Sequence, residues 1–357
     1  GPPGVDPYAK GDMARSVLPR SNYKKWLSLF AERAPQLLFE LAELFYNIPA
    51  YFRLRKKVSD SGSYNFIYER YSLNCLAGAK LAAVKKLPFV LEVNDATIIE
   101  RSRPLFFKWL ARKNERYVFS RADLMITITN HFKQLMIDAY HIEADKIVVL
   151  PNAIDAEKFI IEPHQRLNRV ALQIPEAAIV LGCVGAFVPW HGLGFLVDTV
   201  GSYAVERNIY LLFIGDGPVK NDILEKAKNH NMSERIHFTG FVEAGDVVKY
   251  LDLVDICVIP GSNPHCSPMK LFEYMAMGKP VVLPRYKPLL ETVTDEKEAI
   301  FFDPDDHQGL SAALMKLIDS VDLRQKLGTN GLKKVNETYT WQINCSKVLS
   351  LMDFLKA

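Results

Sequence analysis

The stretch from Asp255 to Leu283, DICVIPGSNPHCSPMKLFEYMAMGKPVVL, constrains the fold of this chain more than any other. Asp255–Pro260 is a short apolar run with β-branched residues, closed by Pro and Gly, and it reads as a buried strand. Pro280–Leu283 reads as a second strand. The segment between them has both ends of a helix written out. Ser267 suits the N-cap and Pro268 the first helical position, where its missing N–H removes no bond; Gly278 and Pro280 then end the run. Strand, long loop, helix and strand make a βαβ unit, with the loop 261–267 at the carboxyl end of its first strand.

Such a unit predicts an anion site. The free N–H groups of Met269, Lys270 and Leu271 converge with the positive end of the helix dipole, and Lys270 adds a full charge in the first turn. Glu273 lies three residues further on the same face, where a carboxylate accepts from sugar hydroxyls. Diphosphate at the tip and ribose on the flank would suit a nucleotide sugar. The alternative is a core helix that starts with Ser-Pro.

Strand and helix patterns alternate on both sides of this unit. Before it come strands at Asn65–Arg70, Pro88–Asn94, Leu124–Thr129 and Lys146–Pro151, with helices at Leu73–Lys86, Arg103–Arg121 and His131–Tyr140. A second series follows: Ile179–Ala186, Ile209–Gly215, Arg235–Gly240, Asp255–Pro260, Pro280–Leu283 and Ala299–Asp303, each leading to a helix. The expectation is α/β with two doubly wound, Rossmann-like domains. Their bounds read as 1–152, a polar linker over 153–168, a second domain over 169–340, and a last helix over 341–357. The first domain begins with helices and reads as lacking an opening strand with its glycine loop.

With 357 residues, 49% apolar and 24% charged, the composition is that of a two-domain globular protein. Five cysteines with no CxxC pairing point to a reduced, cytoplasmic setting rather than a disulfide-stapled one. No membrane-length apolar run and no signal peptide are read. The net charge of +3 conceals an asymmetry: residues 1–120 hold 20 Lys+Arg against 11 Asp+Glu, and the remainder 24 against 30. A basic first half suits an anionic partner or surface, although ordinary drift of surface charge gives the same numbers. Residues 20–57 sharpen the question. Trp26, Phe30, Leu37, Leu41, Phe45 and Phe52 form apolar stripes flanked by Arg53, Arg55, Lys56 and Lys57. Such a segment either lies in a membrane interface or packs as a helix on the domain's own sheet.

Four segments in this order carry a family resemblance: VGAFVPWHGLG (184–194), LLFIGDGP (211–218), RIHFTGFV (235–242) and HCSPMKLFEYMAMGKPVV (265–282). With LEVNDA (91–96) and VVLPNAID (148–155), the chain resembles the retaining glycosyltransferases of GT-B fold, in particular the large bacterial family that builds polysaccharides and glycoconjugates. The resemblance runs from about residue 64 to the end. It implies two Rossmann-like domains with a cleft between them, the donor nucleotide on the second, the acceptor on the first, and a C-terminal helix crossing back. The implied donor is a nucleoside-diphosphate sugar, UDP favoured over GDP, and the acceptor a glycan or lipid-linked sugar. No cofactor and no metal are expected. The cysteines, with the basic amphipathic opening, suggest a cytoplasmic setting, peripheral at the inner membrane face.

The resemblance also assigns residues. Lys270, His191, Asn94 and Asp95 are expected at the chemistry. The donor is expected against Gly185, Ala186 and Gly192, then Gly215, Asp216, Gly217 and Phe241, and then His265, Cys266, Ser267, Pro268, Met269, Leu271 and Glu273. Glu69 and Arg70 are acceptor candidates at the preceding strand end. The chain departs from the family pattern at three points: His265 replaces the first Glu of the Glu-x7-Glu motif, and Ala186 and His191 stand where an Arg and a Lys usually meet the diphosphate. Lys270 would then take over the phosphate charge, with His191 donating a hydrogen bond or serving only as a structural His. His265 either reads the donor sugar or does not. Asn94 and Asp95 either orient a substrate or form an Asx turn.

Transfer would proceed with retention. The acceptor hydroxyl approaches the face that the nucleoside diphosphate leaves, and catalysis rests on stabilising the charge that grows there. Other signals are weak. Asp303-Pro-Asp305-Asp306 reads as a turn and N-cap rather than a metal motif, His265-Cys266 lacks a second ligand pair, and nothing reads a nucleic acid. Two other functions fit the same residues: a GT-B nucleotide-sugar epimerase, and a non-catalytic or partner-dependent nucleotide-sugar-binding subunit.

Overall fold

The computed structural model describes residues 36–356 apart from 61, 63, 100–104 and 264–266. It divides into two compact units, one formed by the chain up to Leu150 with Met352 onward, the other by Pro151–Leu351. Both are α/β with an all-parallel sheet, the fold class expected of the sequence.

In the first unit the strands are β1 (Ile67–Arg70), β2 (Phe89–Val93), β3 (Leu124–Thr127) and β4 (Ile147–Val149). The helices are α1 (Gln36–Asp60), α2 (Ala77–Lys85), α3 (Lys108–Arg121) and α4 (Asn130–Tyr140). β2 and β3 are nearly continuous apolar runs because parallel strands are covered on both faces. Phe89, Leu91, Met125, Phe132 and Met136 form the core around them. α4 starts where Thr129 accepts from the Phe132 N–H at 3.0 Å. The strands lie in chain order, β1-β2-β3-β4, so the reversal that double winding requires is not found among the described strands of this unit. Helix α3 begins at Lys108, and 20–35 of the amphipathic opening lie outside the described residues.

The second unit carries β5 (Ile179–Val184), β6 (Ile209–Ile214), β7 (Ile236–Phe238), β8 (Ile256–Val258), β9 (Val281–Pro284) and β10 (Ile300–Phe302). Its helices are α5 (Leu193–Val200), α6 (Lys220–Asn229), α7 (Val247–Asp252), α8 (Met269–Ala276), α9 (Lys287–Thr292), α10 (His307–Ile318), α11 (Val321–Thr338) and α12 (Trp341–Lys356), the last counted with the first unit from Met352 onward. The sheet order β10-β9-β8-β5-β6-β7 is doubly wound. Side chains along β6 alternate between two cores: Leu211 and Phe213 enter one, Leu212 and Ile214 the other. Strand order reverses between β5 and β8, and a crevice outside the carboxyl ends of such a pair is where doubly wound sheets bind ligands. Asp306 caps α10 by accepting from the Gln308 N–H at 3.0 Å, so the Asp-rich turn is spent on the helix. Among the described residues no helix is long and apolar enough to cross a membrane.

Candidate functional site

Three loops leave the carboxyl ends of β5, β6 and β8 side by side. After β5 the backbone turns at Gly185, whose φ of +130° is a region that L side chains rarely adopt. Gly215, at the end of β6, packs so closely that a Cβ there would fall 2.1 Å from the Gly185 carbonyl oxygen. The β6 loop is then stitched to the β5 loop: the Phe187 N–H donates to the Asp216 carbonyl at 2.9 Å and the Val219 N–H to the Phe187 carbonyl at 3.2 Å. Asp216 accepts from the Gly217 N–H at 2.8 Å, which holds the tight turn. On the other side, Gly192 at φ +68° lies against the backbone of Pro260 and Gly261. Phe241, past β7, is exposed.

Helix α8 aims its first turn at this junction. It begins one residue later than the sequence suggests. Pro268 is the N-cap, with extended backbone, and the Leu271 N–H donates to its carbonyl at 3.2 Å. The amides facing an anion therefore reduce to those of Met269 and Lys270, and Leu271 instead buries its side chain. Ser267 lies outside the cap. Its hydroxyl is buried, at 4% residue exposure, with no hydrogen-bond partner, while its carbonyl accepts from Asn152 Nδ2 at 2.7 Å. A buried hydroxyl without a partner is uncommon and marks a place where a further polar group belongs. The orientation of α8 is set by Tyr274, fully buried, whose hydroxyl accepts from the Val184 N–H at 2.7 Å. This phenol ties α8 to the end of β5 beside Gly185. Its sequence context, an aromatic on an apolar helix face, signals only core.

Lys270 and His191 converge on Gly185: a Cβ there would lie 3.7 Å from Lys270 Nζ and 3.8 Å from His191 Cε1. Burial pushes the Lys270 ammonium down from 10.5 to about 8. Burial, with the positive charge of Lys270, pushes His191 down to about 4, so the imidazole is neutral. His191 Nδ1 lies 2.5 Å from the Ala186 carbonyl. A carbonyl only accepts, so Nδ1 carries the proton and Nε2 presents a lone pair. In the free protein His191 becomes a donor at Nε2 only by taking up a proton. Burial raises Glu273 above the ordinary carboxylate range, opposed by Lys270. His265 and Cys266 lie outside the described residues.

Two of the first-unit candidates, Arg70 and Asn94, meet at a residue that sequence reasoning missed. Glu92 on β2 accepts from Tyr68 at 2.7 Å and from Asn94 Nδ2 at 2.6 Å, and pairs with Arg70 at 3.7 Å. Asn94 Oδ1 is buried without a partner. No helix follows Asn94 directly, so it does not cap one; Asp95 is the next residue of the same loop. Glu69 points the other way, its carboxylate packed in the space left by Gly78 at the start of α2, and burial raises it to about 6. A second missed residue, Glu115, is fully buried and accepts from Tyr71, from the Thr97 N–H and hydroxyl, and from Tyr140. It anchors the loop that carries Asn94 and Asp95. In sequence both look like solvated carboxylates, Glu115 in a basic helix and Glu92 near a strand end.

Two family models match adjacent parts of the chain: glycosyl transferases group 1 over residues 164–334 and glycosyltransferase family 4 over residues 19–158. Both are models of glycosyltransferases and together they match most of the chain, whose fold is GT-B. Among similar proteins, the lipopolysaccharide core biosynthesis glycosyltransferase LpsD of Rhizobium meliloti is 28% identical over 54% of this chain and 54% of its own length. The chain thus spans about half of that relative. The UDP-Gal:alpha-D-GlcNAc-diphosphoundecaprenol alpha-1,3-galactosyltransferase of Escherichia coli is 22% identical over 79% of this chain and 76% of its own. Anabaena HepE, solved in complex with UDP, superposes with a TM-score of 0.70 at 18% identity, covering 85% of this chain and 82% of that one.

Proposed function

We propose that this protein is a retaining glycosyltransferase that moves a sugar from a nucleoside-diphosphate sugar, UDP favoured over GDP, to a glycan or lipid-linked acceptor. The observation that carries the reading is the buried, partnerless hydroxyl of Ser267 at the tip of α8, beside Lys270 and at the strand-order reversal. Diphosphate oxygens would accept from that hydroxyl, from the amides of Met269 and Lys270, and from the Lys270 ammonium. Glu273, one turn along, takes the ribose hydroxyls, and the 215–217 turn with Phe241 borders the nucleoside. The names of the relatives point the same way, one to a UDP-sugar donor and a lipid diphosphate acceptor, another to bound UDP.

In the proposed step the bond from the sugar's anomeric carbon to the diphosphate oxygen breaks. The acceptor oxygen bonds to the same face of that carbon, and its proton passes to the leaving phosphate. Negative charge grows on the diphosphate, and Lys270 with the helix tip meets it there. The phosphate charge is answered by Lys270, so the reaction runs without a divalent metal or other cofactor. Asn94, Asp95 and Arg70 are the first-unit groups proposed for the acceptor; Glu69, turned into the space left by Gly78, is not among them.

Calorimetry with UDP and GDP, followed by NMR of the product anomer from an α-linked donor, tests this. Binding of UDP and a retained anomeric configuration are expected. Inversion would overturn the retaining step, and no binding of either nucleotide would overturn the whole reading. One observation favours a second reading, a binding subunit without turnover: Ala186 and a neutral His191 stand where two cations are expected. Nucleotide binding with no transfer or hydrolysis would decide for it.

A further inference from the structure

Helix α1 carries two polar anchors on its inner face and an apolar stripe on its outer one. Glu40, 4% exposed, turns into the protein and accepts from the Phe106 and Phe107 N–H groups at 2.7 and 3.0 Å. Asn47, seven residues on and so on the same face, donates to the Asn74 carbonyl at 2.7 Å and accepts from the Leu76 N–H at 2.6 Å. These two polar groups face inward, together with the half-buried Leu41, Leu44 and Tyr51. Outward stand Leu38, Ala42, Phe45, Ile48 and Phe52, with Phe45, Ile48 and Phe52 at 67%, 59% and 60% exposure. The stripe from Leu38 to Phe52 is about 21 Å long at 1.5 Å per residue. It ends in four exposed cations, Arg53, Arg55, Lys56 and Lys57.

We propose that the outer face of α1 rests on an anionic lipid bilayer. Packing on the domain's own sheet would explain an inward apolar stripe, not an outward one. Charge complementarity selects the occupant: a second copy would bring the same four cations to the contact, whereas anionic headgroups neutralise them. Pro49 on this helix leaves the Phe45 carbonyl without its helical N–H, a group that needs water. That suits a helix lying at headgroup depth and opposes one inserted into hydrocarbon. The inference goes beyond the transferase reading and does not depend on turnover. A membrane-bound position would place the first unit where lipid-carried acceptors are found.

The test is sedimentation of the full chain with vesicles of phosphatidylcholine alone or mixed with phosphatidylglycerol, at low and physiological ionic strength. Wild type should sediment with the mixed vesicles at low salt, less so at physiological salt because the attraction is screened, and weakly with phosphatidylcholine. The F45S/F52S variant should bind about a hundredfold more weakly, since two aromatic side chains no longer leave water. The R53Q/R55Q/K56Q/K57Q variant should bind neutral and mixed vesicles alike. All these groups are exposed, and circular dichroism with UDP calorimetry verifies folding and donor binding separately. A variant that loses vesicles but keeps UDP separates this inference from the transferase reading. Wild type left in the supernatant with mixed vesicles at low salt would overturn the proposal. So would a dimer that F45S/F52S dissociates, which would give the stripe to a second copy.

Discussion

Lys270 is a charge held where a charge is unwelcome, and replacing it should make the protein more stable and less able to bind a diphosphate. Its ammonium falls from 10.5 to about 8 through burial, so at neutral pH the folded state keeps a proton that its surroundings disfavour. A displacement of that size, at 1.36 kcal/mol per tenfold, corresponds to roughly 3 kcal/mol before screening. Lys270 retains some contact with water, and screening reduces this to about 1–2 kcal/mol. Lys270→Met keeps the length and packing of the stem and removes the charge. It should raise the melting temperature of the second unit by about 2–8 °C, given roughly 2–4 °C per kcal/mol for a unit of this size.

The pH dependence follows from the same numbers. In the unfolded chain Lys270 stays protonated until its ordinary 10.5, whereas the folded chain releases the proton near 8. Between those values the unfolded state binds more protons, so wild-type stability rises with pH relative to the variant. The gap should therefore be full below pH 8 and close as pH climbs toward 10.5. Adding UDP at neutral pH should invert the order, because the diphosphate gives the ammonium its partner and the variant offers none. Differential scanning calorimetry of both proteins across this range, with and without UDP, reads all three outcomes. A variant less stable than wild type at pH 7, with an undiminished UDP response, would mean that Lys270 already has its counter-charge and is no phosphate ligand.

The remaining predictions address the neighbouring groups. Glu273→Gln should weaken UDP binding about tenfold or more in calorimetry, since a charged hydrogen-bonded contact contributes about 1.5–3 kcal/mol; unchanged affinity would remove the ribose role. Ser267→Ala removes a buried hydroxyl that bonds to nothing in the free protein, so it should leave thermal stability intact or slightly raised while lowering UDP affinity. A stability loss above about 1 kcal/mol would show that the hydroxyl has a structural partner after all. Transfer should persist in excess chelator, and a strict requirement for Mg²⁺ or Mn²⁺ would mean that Lys270 is not the group that answers the phosphate charge.

How much of this could be read beforehand depends on the range of the interaction. The ten strands among the described residues follow from apolar runs and β-branched residues, signals contained within a few positions, and the helix behind Pro268 follows from Gly278 and the Ser-Pro pair. Even there the start slips by one residue, because an extended Pro268 serves as the cap and not as the first helical position. The convergence of Lys270 and His191 on Gly185 joins residues some eighty positions apart, and only the family order of motifs anticipated it. Tyr274, Glu92 and Glu115 were illegible for a related reason: a side chain that bonds across elements looks in sequence like any core aromatic or surface carboxylate. Their partners are chosen by packing.

Helix α1 shows the same limit from the other side. Periodicity locates an apolar stripe but does not say which way it faces, and the usual assumption turns it inward. Here two polar residues seven apart, Glu40 and Asn47, find backbone partners in the loops near α2 and α3. Those bonds fix the rotation of the helix about its axis, because a buried carboxylate or amide without them would be far more destabilising than an exposed phenylalanine. Once that face is committed to the protein, the stripe of Leu38, Phe45, Ile48 and Phe52 has no place left but outside. The orientation of the stripe is thus decided by the hydrogen bonds behind it, and the bilayer contact is what those bonds leave available.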